Sequence, residues 1–301
     1  MPSRRHELLA VAVPKLRRSR ELDTPEAEKA RLLRWHATLD RGFPTRVVPF
    51  FNRRYAVVRE DLPAGFASYT LTRRGRTHDR TVVYLHGGGF VAPIDPFQVR
   101  YGARLASGLG ARVVMPDYPL TPEHTWRDAH GPIVELVERL LHEGEDVTIA
   151  GDSAGGGLAL AVALAIRDRG GPQPSHLLLV SPWVDLTTST PETLEVTRTD
   201  PWLFIGKMRA YAEWWAGSAD EVGRPEVSPG LGDLTGLPPA LMFFGTRDSL
   251  WPGGQLLVRR AEEAGWPLTY VEEPGLLHVY PVLPFVPEAR RAWRTTKEFL
   301  A

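Results

Sequence analysis

The segment VTIAGDSAGGGLALAVALAI, residues 147–166, most constrains what this chain can fold into. A short run of β-forming residues leads into GDSAG at 151–155, and a long apolar helix pattern follows at once. Gly-x-Ser-x-Gly between a strand and a helix is typical of a sharp turn that presents a nucleophilic serine, because side chains beside the serine would crowd the turn. A glycine-rich turn whose serine only caps the helix is the alternative; the flanking strand and helix favour Ser153 as a nucleophile.

The rest of the chain indicates a mostly parallel sheet around this turn. Short apolar runs rich in β-formers alternate with stretches long enough for helices; they are RTVVYL, ARVVMP, DVTIA, SHLLLVS, ALMFFG and PLTYVEE. Strands buried on both faces and joined by helical crossovers predict a parallel sheet covered by helices. Ahead of them, TRVVPFF, RRYAVVRE and FASYTLTRR resemble short strands of an antiparallel edge.

Two segments fall outside this alternation. Residues 5–40 show helical periodicity in two stretches, the second opened by Pro25. Residues 184–239 lie between SHLLLVSPW and ALMFFG, which is too long an interval for a single crossover. At 301 residues and 43% hydrophobic content, the chain suits one large α/β domain with a small appendage. We expect N-terminal helices at 1–44, an α/β domain at 45–185 and 223–301, and an insertion at 186–222 over the C-terminal edge of the sheet.

A serine hydroxyl needs a base, and the base needs a carboxylate that orients it. In this sheet architecture the chain order is serine, acid, histidine. His278 is the only histidine beyond residue 176, so it is the candidate base. Asp248 follows the strand ALMFFG, and its position after the penultimate strand favours it as the acid, although a loop aspartate more commonly makes a turn or a cap. The rival aspartates belong to the insertion or its borders; they are Asp185, Asp200, Asp220 and Asp233.

The three glycines of HGGGF, residues 86–90, follow the strand RTVVYL and expose bare backbone. Attack of a serine on an ester carbonyl develops an oxyanion, which preorganised backbone N–H groups stabilise. Enzymes built around this turn use the amide of the residue after the nucleophile, here Ala154, and an amide from a glycine loop after a neighbouring strand. We therefore expect the glycine loop to face Ser153.

A dinucleotide site is a rival interpretation of the same loop. GGGFVA matches G-x-G-x-x-G/A, and Asp117 ends the next predicted strand, where a ribose-binding acid would lie. Pro93 and Pro96 fall where the phosphate-binding helix would already run, and a proline inside a helix costs about 3 kcal/mol. We therefore expect no nucleotide and no other cofactor.

Composition restricts the partners. Lys plus Arg and Asp plus Glu both number 36, which leaves no surplus of positive charge for nucleic acid. The chain has no cysteine, so disulfides, thiolate metal sites and cysteine nucleophiles are excluded, and we expect no metal. The apolar piece LLAVAV is too short for a secretory core, and no stretch approaches the roughly 18 apolar residues of a membrane span. We expect a cytoplasmic protein with a small-molecule substrate, and a homodimer is left open.

Five motifs taken together resemble one known family. These motifs are, in chain order, HGGGF, DYPLTPEH, GDSAGGG, GTRDSL and LHVY. Their order and spacing resemble those of the hormone-sensitive-lipase-like esterases, a branch of the α/β-hydrolases marked by H-G-G-G and G-D-S-A-G-G. The resemblance covers residues 45–300. It implies an α/β-hydrolase fold with an eight-stranded, mostly parallel sheet and helices on both faces. The catalytic domain would be residues 45–185 and 223–301, and a helical cap would consist of the N-terminal helices at 1–44 and the insertion at 186–222. The resemblance also implies hydrolysis of short- to medium-chain carboxylic esters without a cofactor.

The resemblance further implies an oxyanion hole made by the amides of Gly88, Gly89 and Ala154. The residues expected to support this hole are His86, Gly87 and Asp152. Pro119 and Thr121 stand where the family has Arg and Ala, GTRDSL departs from the common Asp-Pro-Leu, and HVY departs from His-Gly-Phe. The segment with Pro119 and Thr121 is structural in the family, whereas the changes in GTRDSL and HVY alter the rim of the site. The family's substrate preference therefore does not carry over closely.

Aromatic residues are candidates for the substrate pocket, although aromatics at helical spacing more often pack a core. An insertion at the C-terminal edge of the strands covers the site, which favours pocket lining by at least one of them. The candidates are Phe90, Trp202, Phe204, Tyr211, Trp214 and Trp215.

The sequence thus predicts a serine carboxylesterase. Ser153 attacks, His278 takes and returns the proton, Asp248 holds the imidazole, and water splits the acyl-enzyme. A lactone or amide hydrolase using the same three residues stays open. A non-catalytic ligand-binding protein on the same fold is disfavoured, because all three residues are present.

Overall fold

The computed structural model describes residues 1–16 and 19–301, and its strands form one eight-stranded sheet. They are β1 Tyr55–Asp61, β2 Ala67–Arg73, β3 Arg80–Leu85, β4 Ala111–Pro116, β5 Val147–Asp152, β6 His176–Val180, β7 Ala240–Arg247 and β8 Leu268–Leu277. Their order across the sheet is β1-β2-β4-β3-β5-β6-β7-β8. Strand β2 pairs antiparallel with β1 and β4, and β3 to β8 run parallel. The predicted mostly parallel sheet with an antiparallel edge is confirmed.

Helices cover both faces of the sheet, as predicted. Those in the described parts are α1 Arg4–Leu16, α2 Pro25–His36, α3 Phe51–Arg54, α4 Pro96–Gly108, α5 Trp126–His142, α6 Ser153–Asp168, α7 Glu192–Val196, α8 Ile205–Ala216, α9 Trp251–Ala264 and α10 Pro287–Phe299. Val82 and Val83 are consecutive in β3 and point to opposite faces, so they belong to two different apolar clusters. One cluster packs the sheet against α5, α6 and α9, and the other packs it against α4 and α10.

The parallel strands bring the chemically important loops to one edge of the sheet. Leu85, the last residue of β3, pairs with Gly151 of β5, so the HGGGF loop begins beside the GDSAG turn. Strands β7 and β8 also run parallel, and their C-terminal ends lead to Asp248 and His278. Ligand sites in open α/β sheets lie at this carboxyl edge of the strands.

The glycine loop does not lead directly into a helix. Helix α4 begins only at Pro96, where the Asp95 side chain accepts the backbone N–H of Phe97 at 2.7 Å. Pro96 occupies the first helical position, where proline's missing N–H is harmless. A phosphate-binding helix would have to start at the glycines, so the local geometry opposes the dinucleotide interpretation of GGGFVA.

The strand expected at TRVVPFF is wrong. Residues 46–50 form turns, and Phe51 starts the short helix α3. Pro49 has no N–H to donate to a neighbouring strand, and Phe50 has a left-handed φ of 54°. Val48 and Phe51 are nevertheless buried, which explains the apolar pattern that suggested a strand.

The two segments predicted to be additional to the sheet contain helices. Residues 1–44 hold α1 and α2, and Arg17 and Arg18 of this predicted unit lie outside the described residues. The insertion at 186–222 holds α7 and α8. Helix α2 packs against α8, so the two segments meet. Their joint role as a cap stays a prediction.

Candidate active site

Three side chains from three loops converge at the carboxyl edge of the sheet. The Ser153 Oγ lies 2.9 Å from His278 Nε2, and His278 Nδ1 lies 2.9 Å from Asp248 Oδ2. Asp248 is 0% exposed, His278 is 3% exposed and Ser153 is 8% exposed. This linear arrangement of hydroxyl, imidazole and carboxylate is the one that activates a serine for nucleophilic attack.

The backbone of Ser153 is held in a conformation that few residues other than glycine adopt. Its φ is 54°, and it stands between the end of β5 and the first turn of α6. The turn brings Gly155 so close to the end of β3 that a Cβ there would overlap the carbonyl oxygens of Leu85 and His86. The Gly-x-Ser-x-Gly pattern is therefore explained by close backbone approach at Gly155.

Asp248 and His278, the predicted acid and base, directly follow β7 and β8. Asp248 Oδ1 accepts the backbone N–H of Leu250 at 3.0 Å, which leaves Oδ2 for His278. Burial alone lowers the pKa of His278, but the carboxylates of Asp248, Asp200 and Asp152 raise it above its ordinary value. For Nε2 to accept the Ser153 proton, Nδ1 must carry a proton and donate it to Asp248.

The glycine loop presents backbone N–H groups beside the serine. Gly88 has a φ of 121° and Gly89 a φ of 63°, and both lie in the left-handed region. Within residues 1–16 and 19–301, the amides of Gly88 and Gly89 donate to no backbone carbonyl. Ala154 lies in the first turn of α6, where N–H groups have no partner within the helix. The role of these three amides as an oxyanion hole stays a prediction.

Asp152 ties the glycine loop to the nucleophile turn. Its Oδ1 accepts the Gly87 amide at 3.0 Å and the Tyr84 hydroxyl at 2.6 Å. Gln98 of α4 donates its Nε2 to Asp152 Oδ2 at 3.0 Å. Burial raises the pKa of Asp152, although these hydrogen bonds lower it. Sequence reasoning missed Gln98, because its amide reaches the site from a neighbouring helix.

His86 contacts the glycine loop and not the triad. Its Nδ1 donates to the Gly87 carbonyl oxygen at 2.9 Å. Its ring stacks on Tyr118 with centroids 4.1 Å apart, and the Tyr118 hydroxyl donates to the His86 carbonyl. Burial lowers the pKa of His86, which favours the neutral imidazole.

The six pocket candidates occupy different surroundings. The Trp202 ring meets the His278 imidazole edge-on, with centroids 5.6 Å apart. Tyr211 lies against Gly89, where a Cβ would come within 3.1 Å of its ring. Phe90 and Trp215 are fully buried and stack on each other at 4.1 Å, so both serve core packing. The remaining two are half-buried, Phe204 just before α8 and Trp214 within it, 5.7 Å from the Tyr211 ring.

Two further residues contact the site, and sequence reasoning did not assign them a role. His6 of α1 is buried, and its Nε2 accepts the backbone N–H of Leu277 at 3.0 Å, directly before His278. Asp200 of the insertion accepts the Ser249 amide at 2.8 Å, directly after Asp248. Neither contact has a sequence signal, because each joins segments far apart in the chain.

Residues 1–16 and 19–301 include neither a cluster of metal-binding side chains nor a helix suited to span a membrane. No group of three or more His, Asp or Glu side chains in this part of the chain is placed to hold a metal ion. Of the helices described, none combines the length and apolar character needed to cross a bilayer.

The sequence and the fold are similar to those of known proteins. A family profile described as the alpha/beta hydrolase fold matches residues 82–282. An acetyl-hydrolase of Streptomyces hygroscopicus is 32% identical over 289 residues, covering 92% of this chain and 96% of that protein. An esterase of Acinetobacter venetianus is 31% identical over 222 residues, covering 72% and 73%. A crystal structure of an esterase from the bacterial hormone-sensitive lipase family has a TM-score of 0.82 at 25% identity, covering 100% of this chain and 98% of that one.

Proposed function

The chain belongs to the hormone-sensitive-lipase-like esterases of the α/β-hydrolase fold and is a carboxylic ester hydrolase, and we propose that its catalytic triad is Ser153, His278 and Asp248. The observation that carries the proposal is the unbroken pair of 2.9 Å hydrogen bonds from Ser153 Oγ through the imidazole to Asp248. The substrate is a small-molecule ester.

The geometry supports a two-step reaction. Ser153 Oγ attacks the carbonyl carbon while His278 Nε2 takes the hydroxyl proton, and Asp248 stabilises the imidazolium that forms. His278 then gives the proton to the alcohol oxygen as the bond to the acyl carbon breaks. Water enters, gives its proton to the same nitrogen and attacks the acyl-enzyme, and the carboxylic acid leaves as Ser153 recovers its proton.

The oxyanion of each tetrahedral intermediate is assigned to the amides of Gly88, Gly89 and Ala154. The closeness of the glycine loop to Ser153 supports this assignment, because a Cβ on Gly87 would lie 2.9 Å from the Ser153 Cβ. The hydrogen bonds of His86 and Asp152 to Gly87, which hold the loop, also support it. Fixed N–H groups contribute strongly here because they need no reorientation when charge develops.

The cap is proposed to consist of residues 1–44 and 186–222. Glu28 of α2 accepts the Tyr211 hydroxyl of α8, and Lys207 lies 3.6 Å from the same carboxylate. Burial raises the pKa of Glu28, but hydrogen bonds from Arg31 and Tyr211 together with the Lys207 charge lower it to about 2, so the link is ionised near neutral pH. Tyr211 also lies against Gly89, so the same helix pair limits the space beside the glycine loop.

A covered pocket predicts selection by acyl length. Each buried CH₂ contributes about 0.8 kcal/mol until the pocket is full, after which further length brings no gain or a clash. We propose a preference for short to medium acyl chains, about C4 to C8. The proposed lining residues are Trp202, Phe204, Tyr211 and Trp214. Phe90 and Trp215 are buried and stack on each other, so they are assigned to the core.

A panel of p-nitrophenyl esters with acyl chains from about C2 to C12, assayed beside lactones and anilides, tests this function. The proposal predicts ester turnover that peaks at about C4 to C8 and is abolished in Ser153→Ala. Faster turnover of lactones or anilides would support the alternative hydrolases, and a flat profile would oppose the limited pocket. Cell fractionation tests the cytoplasmic location expected from the sequence, and light scattering tests whether the chain forms a homodimer, which the sequence leaves open.

A further inference from the structure

A second buried carboxylate lies next to the proposed triad. Asp200 stands between α7 and α8 and is 5% exposed. Its Oδ1 accepts the backbone N–H groups of Trp202 at 2.8 Å and Leu203 at 3.2 Å. Its Oδ2 accepts the amide and the hydroxyl of Ser249, both at 2.8 Å. All four of these donors are neutral, so they leave the negative charge uncancelled.

These bonds join the insertion to the acid and to the base. Ser249 directly follows Asp248, so Asp200 holds the backbone that carries the proposed triad acid. Trp202, whose amide Asp200 also binds, packs its ring edge-on against the His278 imidazole at 5.6 Å. One side chain thus connects the cap segment to both partners of Ser153.

The charge of Asp200 also acts on the imidazole. Burial raises the pKa of Asp200, and the nearby Asp248 carboxylate raises it further, against the effect of the four hydrogen bonds. Burial lowers the pKa of His278, whereas the carboxylates of Asp248, Asp200 and Asp152 raise it, in that order. Each of these three carboxylates favours the protonated form of the imidazole.

We propose that Asp200 is a positioning residue of the esterase, which fixes the Asp248 loop and the Trp202 turn against His278 and places a second negative charge beside the base. The inference rests on the proposed triad. It assigns a function to one of the aspartates that the sequence left as a rival acid. A carboxylate is needed because two oxygens accept four donors, and an amide in its place would turn an NH₂ group towards two of them.

The pH profile of kcat/KM for Asp200→Asn tests the charge. The acidic limb of this profile reports the essential base of the free enzyme. Loss of a negative charge favours the neutral imidazole, so the limb should move to lower pH. Displacement of the acid loop should also lower kcat at the optimum by about ten- to a hundredfold.

Asp185→Asn is the matched control. Asp185 is also 5% exposed and lies directly before the insertion at 186–222. Its carboxylate accepts the backbone N–H groups of Thr187 at 3.0 Å and Ser189 at 3.1 Å, and it accepts the hydroxyl groups of the same two residues. The carboxylates with the largest effect on the pKa of His278 are those of Asp248, Asp200 and Asp152, and not that of Asp185. The acidic limb of Asp185→Asn should stay at the wild-type pH. An unmoved limb in folded Asp200→Asn, or an equal shift in Asp185→Asn, overturns the proposal.

Ser249→Ala tests the positioning role of Asp200 separately from the effect of its charge. It also tests the proposal if Asp200→Asn does not fold. The substitution removes one of the four hydrogen bonds and leaves the carboxylate charged. The expected result is a lower kcat with an unmoved acidic limb, and a wild-type kcat would overturn the positioning role. If the wild-type protein hydrolyses no ester, the proposed function fails; if it does and Asp200→Asn matches it, only this inference fails.

Discussion

Three residues of the proposed site have special local geometry. The backbone φ is 54° at Ser153 and 121° at Gly88. Asp248 uses one carboxylate oxygen to hold its own loop at Leu250 and the other to bind His278. The turn at Ser153 and the loop at Gly88 were predictable, because sharp turns and exposed backbone amides require glycines, and these glycines are visible in the sequence. Asp200 was not, because a loop aspartate is ordinarily a turn residue and its Ser249 partner is 49 positions away.

Gly88→Val tests the oxyanion assignment. A Cβ at Gly88 would come within 2.9 Å of Ala92 Cβ, and a β-branched residue does not adopt a φ of 121°. We expect kcat to fall by at least about a hundredfold, the scale for losing one donor. Steady-state kinetics with a short ester measures this. A raised KM with an unchanged kcat would mean that the loop only binds substrate.

Asp248→Asn tests the acid. An asparagine amide in place of the carboxylate favours the wrong imidazole tautomer, so kcat should fall by up to about four orders of magnitude while the fold is kept. Kinetics beside circular dichroism checks both. Near wild-type kcat in Asp248→Asn, with the large loss moving to Asp200→Asn, would give the role of acid to Asp200.

At the scale of elements, α1 and the end of β8 are joined by one neutral histidine. Because Leu277 donates its N–H to His6 Nε2, that nitrogen must be unprotonated. Burial lowers the pKa of His6, although Glu288 and Glu7 raise it. The helical pattern of 5–16 and the strand PLTYVEE were both predictable from periodicity. Their contact was not, and the false strand at TRVVPFF shows that apolar runs with proline are ambiguous.

Stability against pH tests this contact. The unfolded chain protonates His6 near pH 6.5 and the folded chain only at lower pH, so the stability from this residue is present above about 6.5 and is lost as pH falls through the lowered pKa. Gln can accept the same N–H without titrating. We expect the fall in Tm between about pH 7.5 and 5.5 to be smaller in His6→Gln than in the wild type.

His124→Gln is the control, because the His124 side chain is 51% exposed. Its fall in Tm should match the wild type. An identical pH dependence in all three proteins would mean that His6 does not couple α1 to the end of β8.

At the scale of the whole molecule, the parallel sheet collects residues from distant parts of the chain at one edge. The strand pattern and the motif order were sufficient to predict this arrangement. The packing of the N-terminal segment was harder to predict from the sequence, because α1 contacts the end of β8 while α2 contacts α8. These contacts depend on side chains such as Glu28 and Tyr211, whose pairing has no local pattern.

Deletion of residues 1–40 tests the cap as a unit. It removes Glu28 from Tyr211 and His6 from Leu277, although it removes no proposed triad residue. We expect lower kcat/KM and a broader acyl-length profile, measured with the ester panel on protein shown to be folded. If the truncated protein is folded and keeps the wild-type rate and acyl-length profile, residues 1–44 are not part of the cap.

Mass spectrometry after treatment with a fluorophosphonate tests directly whether Ser153 is the nucleophile. We expect one adduct per chain, mapped by peptide sequencing to Ser153, with esterase activity lost in step with labelling. Ser153→Ala should bind no label and hydrolyse almost no ester. An adduct on another residue, or ester turnover that persists in Ser153→Ala, would show that Ser153 is not the nucleophile.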